Sequence, residues 1–374
     1  MQEAQPYGLK NKVAETMDSR FFDSGFASLE AYVPGEQPRD RKYIKLNTNE
    51  SPFPPSPAVV EAINGDAASL LRLYSDPTAS DVKKAIADFY GVDTDRVFVT
   101  NGSDEGLNFL FMAFCEKGAA FADITYGFYS VFADLYHKDT VIVPLRENFS
   151  IQIDDYDGID KTLFIANPNA PTGMILGLDL IEDLVTRNPD RLVVVDEAYV
   201  DFGGESAVAL TEKYDNVAVV QTFSKSRSLA GARLGFVIAD PAIIAGLEKI
   251  KYSTNPYNVN RLTALAGTLS MNDREYFDKT RNTIIENRTY AMNELKARGF
   301  EMTDSKTNFI FVRHPGLSGE AYFLGLRQRG ILVRHFNGKR IAEYNRITVG
   351  SLEEMKALIA ATDEILREAG IYNG

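Results

Sequence analysis

Residues 191–240 read RLVVVDEAYVDFGGESAVALTEKYDNVAVVQTFSKSRSLAGARLGFVIAD. Three apolar runs stand in this stretch, at 192–195, 218–222 and 235–238. Each is short, rich in β-branched residues and continuous rather than alternating, the pattern of a strand buried on both faces. The same pattern recurs upstream at 97–100, 119–121, 141–143 and 163–166, with helix-like segments at 81–90, 106–115, 178–185 and 241–250. Strand–helix alternation predicts an α/β fold with a mainly parallel central sheet flanked by helices. Near residue 260 the pattern changes to one long helical stretch, 261–298, followed by strands near 309–312, 330–333 and 346–349 and helices at 320–329 and 352–368. The expected organisation is an N-terminal arm over 1–40, a large domain over 41–260, and a connecting helix with a smaller α+β domain over 261–374. The arm is polar and broken by Pro6, Pro34 and Pro38.

Composition narrows the function. The 374 residues carry 40 basic and 52 acidic side chains, a net charge of −12 that repels nucleic-acid phosphates and anionic lipid. One cysteine, Cys115, excludes an intramolecular disulfide, and three scattered histidines leave little for a zinc site. There is no apolar run of about 18 residues to span a membrane, and the N-terminus lacks a basic stretch followed by an apolar one. A cytoplasmic enzyme is expected, with neither a nucleic-acid nor a membrane partner.

In an open parallel sheet, ligands bind beyond the carboxyl ends of the strands, so polar residues directly after apolar runs are the candidates. Four such endings occur. FVTNGSDEGLNF at 98–109 places Ser103 and Asp104 where free N–H groups at a helix start cradle an anion, although an ordinary helix cap reads the same way. Asp196 ends the run at 192–195, where a buried carboxylate needs a cation or else serves as a cap. Ser224 and Lys225 follow the run at 218–222, with Arg233 eight residues on; a lysine facing a cleft suits Schiff-base chemistry, whereas most such lysines are solvated. LFIANPNAPTG at 163–173 runs into a loop stiffened by two prolines. Together they fit pyridoxal 5′-phosphate: N–H donors, a hydroxyl and an arginine for its phosphate, a carboxylate for its ring nitrogen and a lysine for its aldehyde. No dinucleotide fingerprint, phosphate loop or nucleophile elbow competes.

The ordered set N-G-S-D-E-G (101–106), T-Y-G (125–127), N-P-N-A-P-T-G (167–173), D-E-A-Y (196–199), S-K-x-x-x-L-A-G-x-R-x-G (224–235) and R-I-T-V-G (346–350) resembles the fold type I, pyridoxal-phosphate-dependent aminotransferases. More narrowly it is similar to the histidinol-phosphate aminotransferase family, with YVPGEQP (32–38), LNTNESP (46–52), LYSDP (73–77), PYNVN (256–260) and ILVRHF (331–336) in support. The resemblance implies that Lys225 bonds the cofactor and moves the substrate Cα proton, that Asp196 holds the pyridinium nitrogen, and that Tyr199 bonds the ring's phenolic oxygen. It implies Tyr126 stacked on the ring, where core packing is the alternative. Ser103, Asp104, Ser224 and Arg233 would hold the phosphate. Tyr74 would reach it from a second subunit, which implies a homodimer with shared sites. Arg346, with Arg334 and Tyr32, would bind the substrate's anionic end, though strand-end arginines are also ordinary surface charges. The implied reaction is transamination between L-histidinol phosphate and 2-oxoglutarate; aromatic amino acid aminotransferases and threonine-phosphate decarboxylases share the scaffold. One position departs from the family, which has Asn directly before Pro-Thr-Gly where this chain has Ala170. The ring contact then falls to Asn169, to Tyr199 alone or to a water.

Overall fold

A computed structural model describes residues 21–26, 29, 30, 32, 35–38, 40–63 and 65–371. Most of the predicted arm, including Pro6 and Pro34, lies outside the described residues. In chain order the elements are β1 (Ile44–Lys45), α1 (Pro57–Ala62), α2 (Asp66–Ser69), α3 (Ser80–Tyr90), β2 (Val97–Thr100), α4 (Ser103–Phe114), β3 (Ala119–Ala122), α5 (Phe128–Leu135), β4 (Thr140–Val143), β5 (Thr162–Ala166), α6 (Leu178–Thr186), β6 (Val193–Asp196), β7 (Val217–Thr222) and β8 (Gly235–Ala239). Then follow α7 (Pro241–Thr254), α8 (Arg261–Asn272), α9 (Arg274–Ala297), β9 (Glu301–Met302), β10 (Phe309–Arg313), α10 (Gly319–Gln328), β11 (Ile331–Leu332), β12 (Arg334–His335), β13 (Asn345–Thr348) and α11 (Leu352–Glu368).

The large sheet is seven-stranded, in the order β2-β8-β7-β6-β5-β3-β4. All neighbours pair in parallel except at β8, which runs antiparallel to both β2 and β7. The chain reaches β8 from β7 through residues 223–234, which hold one short 3-10 turn and no α-helix of the kind that usually makes a parallel crossover, and it returns antiparallel. The continuous apolar runs have their expected cause. Val193, Val195, Val217 and Val219 point into one core layer, and Val194, Ala218 and Val220 into the layer on the opposite face. Each of these valines contributes roughly 1.5–3 kcal/mol by leaving water.

The small domain is a four-stranded antiparallel sheet, β12-β13-β10-β9, packed against α9, α10 and α11. Two details differ from the sequence expectation. The helical stretch at 261–298 is two helices, because Asp273 closes α8 and its side chain caps α9 by accepting from Tyr276 N. A helix-starting Asp inside an otherwise periodic run is a weak break in sequence but a strong one once its carboxylate finds the free N–H. Residues 44–46, placed in the large domain by their position in the chain, join the small one: β1 pairs in parallel with β11, and Leu46 is buried in the small-domain core. Between the domains, Phe311 of β10 packs with Ile124, Leu145 and Phe149 beside the end of β3.

Candidate active site

A cavity of about 820 Å³ opens at the carboxyl ends of β3, β5, β6 and β7, under the small domain. Tyr32, Ser103, Asp104, Tyr126, Asp196, Tyr199, Ser224, Lys225, Arg233, Arg334 and Arg346 all line it. Of the candidates from the sequence only Tyr74 lies elsewhere; it is 78% exposed and stacks on Tyr257 at 4.5 Å.

Asp196 is the last residue of β6, buried to 5% exposure. Burial pushes its carboxyl up from the ordinary 3.8 to about 6, against the opposing pull of the Tyr129 hydroxyl, which donates to Oδ2 at 2.7 Å. Its hydrogen-bond partners are thus a neutral phenol and, at Oδ1, the Ala198 N–H at 3.3 Å, and neither is a cation. A buried acid so placed gains most from a cation delivered into the cavity, such as a protonated pyridine nitrogen. Tyr129 was not among the sequence candidates. It is the second residue of α5, three residues after Tyr126, and is fully buried behind the cavity wall, with its ring edge-on to that of Tyr126 at 5.7 Å.

The anion cradle is built by close backbone approach. Gly102 precedes α4 with φ 79°, a conformation open to glycine, and a Cβ there would stand 2.7 Å from Arg233 Nη2. Gly235 of β8 backs the turn so closely that a Cβ would meet Ser103 N and, at 2.6 Å, the Gly102 carbonyl carbon. Ser103 and Asp104, the first residues of α4, line the cavity at the positive end of the helix dipole, and their first-turn N–H groups have no acceptor within the helix. Ser224 Oγ accepts from Thr222 Oγ1 at 2.9 Å, which leaves the Ser224 proton to donate. Arg233 holds φ 56° and its Nη2 lies 3.1 Å from Asp104 Oδ2. Tyr126 donates to the other oxygen of Asp104 at 2.7 Å, so one carboxylate orients both the arginine and the ring. Asp104 thus contributes its side chain as well as the main-chain donor expected of it.

Lys225 extends into the cavity, with Nζ 3.4 Å from the Thr48 carbonyl and 5.7 Å from the Tyr199 ring centroid. The Tyr199 ring packs edge-on against Phe309, and its hydroxyl accepts from Asn49 Nδ2 at 2.9 Å.

At the far wall, Arg334 of β12 and Arg346 of β13 are directly cross-strand neighbours. Two like charges in that register repel, a cost that an anion shared between them would offset. Arg346 is enclosed: burial, with the charge of Arg334 adding to it, holds its pKa below the usual arginine value. Its Nη2 donates to the Asn47 carbonyl at 3.1 Å, while the buried Nε has no hydrogen-bond partner among the described residues. Tyr32 packs on Phe128 at 4.3 Å between ring centroids, along the rim of the same wall. The cavity also takes residues that sequence reasoning passed over. Lys339 and Arg340 belong to the loop after β12, and Arg340 reaches across to Asp123 Oδ2 at 2.6 Å and to the Leu145 and Arg146 carbonyls at 2.8 Å. No motif marks that loop; only the tertiary fold lays it over the end of β3.

The Ala170 position is resolved in part. Ala170 faces the cavity with a methyl group, flanked by Pro168 and Pro171. Asn169 cannot stand in: its Nδ2 donates to the Ile124 carbonyl and to Thr172 Oγ1, both at 2.9 Å, and its Oδ1 accepts from Thr125.

A lysine and a buried carboxylate at adjacent strand ends, with a helix start and an arginine for a phosphate, supply what pyridoxal phosphate needs from a protein. On a mainly parallel seven-stranded sheet with a smaller α+β domain, this is the architecture of the fold type I transferases. Residues 41–361 match the family Aminotransferase class I and II. The chain belongs to that family of pyridoxal-phosphate-dependent enzymes, which transfer amino groups. It is 49% identical over 350 residues to the histidinol-phosphate aminotransferase of Brachyspira hyodysenteriae, spanning 93% of this chain and 99% of that one. It is 46% identical to the histidinol-phosphate aminotransferase of Clostridium acetobutylicum, with the same coverage of both. The solved histidinol-phosphate aminotransferase of Sinorhizobium meliloti, in complex with pyridoxal-5′-phosphate, superposes with a TM-score of 0.85 at 23% identity, over 94% of this chain and 99% of that one.

Proposed function

We propose that the chain transfers the amino group of L-histidinol phosphate to 2-oxoglutarate, giving imidazole acetol phosphate and L-glutamate, in histidine biosynthesis. The pairing of Arg334 with Arg346 across β12 and β13 carries this reading. The substrates of the two halves end in different anions, a phosphate and a carboxylate, and a planar guanidinium binds either in bidentate fashion. Relatives at 44–49% identity bear the same substrate in their names.

Pyridoxal 5′-phosphate, when bound, supplies the electron sink that makes the substrate Cα proton labile. The Asp196 carboxylate would keep the proton on the ring nitrogen. Arg233, the Ser224 hydroxyl and the N–H groups of Ser103 and Asp104 would hold the phosphate, with Tyr126 against the ring face. The Tyr199 hydroxyl would donate to the ring's phenolic oxygen. Lys225 Nζ would hold the cofactor through its aldehyde and would supply the base that moves the substrate Cα proton. Arg346, Arg334 and Tyr32 fix the anionic end so that the Cα–H bond is the one presented for cleavage. The same reading makes the enzyme a cytoplasmic homodimer. Tyr74 lies in an exposed apolar patch with Leu70, Leu71, Leu73 and Tyr257, a surface that suits a second subunit, and from there it would reach the partner's phosphate site.

Incubation with histidinol phosphate and 2-oxoglutarate should yield glutamate, and Lys225→Ala should lower turnover by at least about 10³-fold. Carbon dioxide released from a phosphorylated amino acid, with no glutamate formed, would assign the site to decarboxylation. Transfer from aromatic amino acids alone would assign it to an aromatic aminotransferase.

A further inference from the structure

We propose that Asn49 is a positioning residue that sets the direction in which the Tyr199 hydroxyl donates. The inference rests on the cofactor reading above and goes beyond it to a cavity-lining residue that this reading leaves without a role.

Asn49 is buried to 1% exposure between the domains and held at every polar atom. Its N–H donates to Thr348 Oγ1 at 2.9 Å, and the Thr348 hydroxyl donates to Asn49 Oδ1 at 3.1 Å. Its carbonyl accepts from Asn308 Nδ2 at 3.0 Å. A hydroxyl whose oxygen already receives an N–H has one proton to give, and here it goes to Oδ1. The amide is thereby oriented: Oδ1 faces β13, and Nδ2 faces the Tyr199 oxygen at 2.9 Å. An amide nitrogen only donates, so the tyrosine oxygen accepts from Asn49 and its own proton points away, into the cavity that Tyr199 and Lys225 share. The backbone at Asn49 has φ 56°, a conformation that asparagine tolerates better than other side chains.

The neighbouring wall makes this orientation matter. The side chains of Pro168, Ala170 and Pro171 offer no donor, and the Asn169 side chain is committed elsewhere. The hydrogen bond to the ring's phenolic oxygen then rests on Tyr199, and its polarity rests on Asn49. Thr348, which orients Asn49, stands two residues from Arg346 on β13, so the strand that holds the substrate anion also holds the tyrosine's proton in place.

The test is a pH titration of the absorbance of cofactor bound at Lys225. Asn49→Asp keeps the size of the side chain but presents only acceptors, so it should draw the tyrosine proton to itself. The anionic phenolic oxygen then loses its donor, and the titration midpoint should rise by about one unit or more, a tenfold gain in proton affinity. Tyr199→Phe should give a comparable rise, and the double variant no more than either alone. Asn49→Ala, which leaves the tyrosine proton free, should shift the midpoint less while lowering the melting temperature. If Asn49→Asp does not retain cofactor, Thr348→Val removes the hydroxyl that orients the amide and should raise the midpoint partway. An unchanged midpoint in a cofactor-saturated Asn49→Asp or Thr348→Val protein, or additive shifts in the double variant, overturns the proposal. Failure of the underlying reading would look different: the wild-type chain would show no lysine-bound cofactor absorbance to titrate.

Discussion

Asp196 sits in the cofactor-free chain as a buried acid facing a cavity, and its environment makes a definite statement about pH. The folded state raises its pKa from 3.8 to about 6, so between those values the folded chain keeps a proton that the unfolded chain has released. Its contribution to stability is complete below about pH 4 and is lost as the pH climbs through 6. Glu197, on the next residue and raised from 4.5 to about 7 by burial, acts in the same direction. Denaturant unfolding of the cofactor-free protein should therefore weaken from pH 4 to 7, and Asp196→Asn should remove roughly 3 kcal/mol of that fall, two pKa units' worth. Glu197 is present in both proteins, so the difference isolates Asp196. Equal slopes for the two proteins would contradict it. With cofactor bound the sign should reverse, because a protonated ring nitrogen favours the carboxylate.

At the scale of elements, the cradle depends on how tightly β8 backs the turn into α4. That approach is possible because Gly235 has no side chain to press on Ser103 and Gly102. Gly235→Ala has to push the turn outward, which should cost about 2 kcal/mol of stability and take Ser103 and Asp104 off the phosphate. Cofactor titration should show affinity weakened more than tenfold, on the order of 1.4 kcal/mol, while Lys225 and Asp196 stay in place. Unchanged affinity would mean that the cradle does not use those N–H groups. The elements also explain what the motifs hid. S-K-x-x-x-L-A-G-x-R-x-G reads as a loop followed by another strand of the same kind, yet its strand, β8, runs against the rest of the sheet, returning antiparallel to β7 without a crossover helix.

At the scale of the whole molecule, the net charge of −12 coexists with anionic substrates because the cations are gathered locally. Lys225, Arg233, Arg334 and Arg346 face one cavity, and Lys339 joins them from the small domain. The exposed Tyr74 gives the proposed dimer a test of its own. Lys225→Ala subunits have an intact Tyr74, and Tyr74→Phe subunits have an intact Lys225. Assembled together, they should regenerate one complete site per mixed dimer, about a quarter of wild-type activity under random pairing, at a cofactor concentration that leaves Tyr74→Phe alone largely empty. Activity no greater than the sum of the separate variants would place Tyr74 outside the partner's site.

The sequence by itself determined the seven strands of the large sheet, the strand-end residues and the cofactor chemistry. Burial on both sheet faces writes continuous apolar runs, and Lys225, Asp196 and the helix start at Ser103 each follow one of those runs directly. Those signals are local, and a linear reading can carry them. What needed the tertiary structure is contact between residues far apart in the chain. Examples are Tyr129 beneath Asp196, Arg340 reaching Asp123, β1 joining the small domain, and Asn49 turning the Tyr199 hydroxyl from 150 residues away. The same holds at position 170: only the folded loop, by engaging every polar atom of the Asn169 side chain, decides that this asparagine does not replace the missing one. A hydrogen bond's direction depends on what every neighbouring donor and acceptor has already committed, and that accounting exists only once the chain is folded.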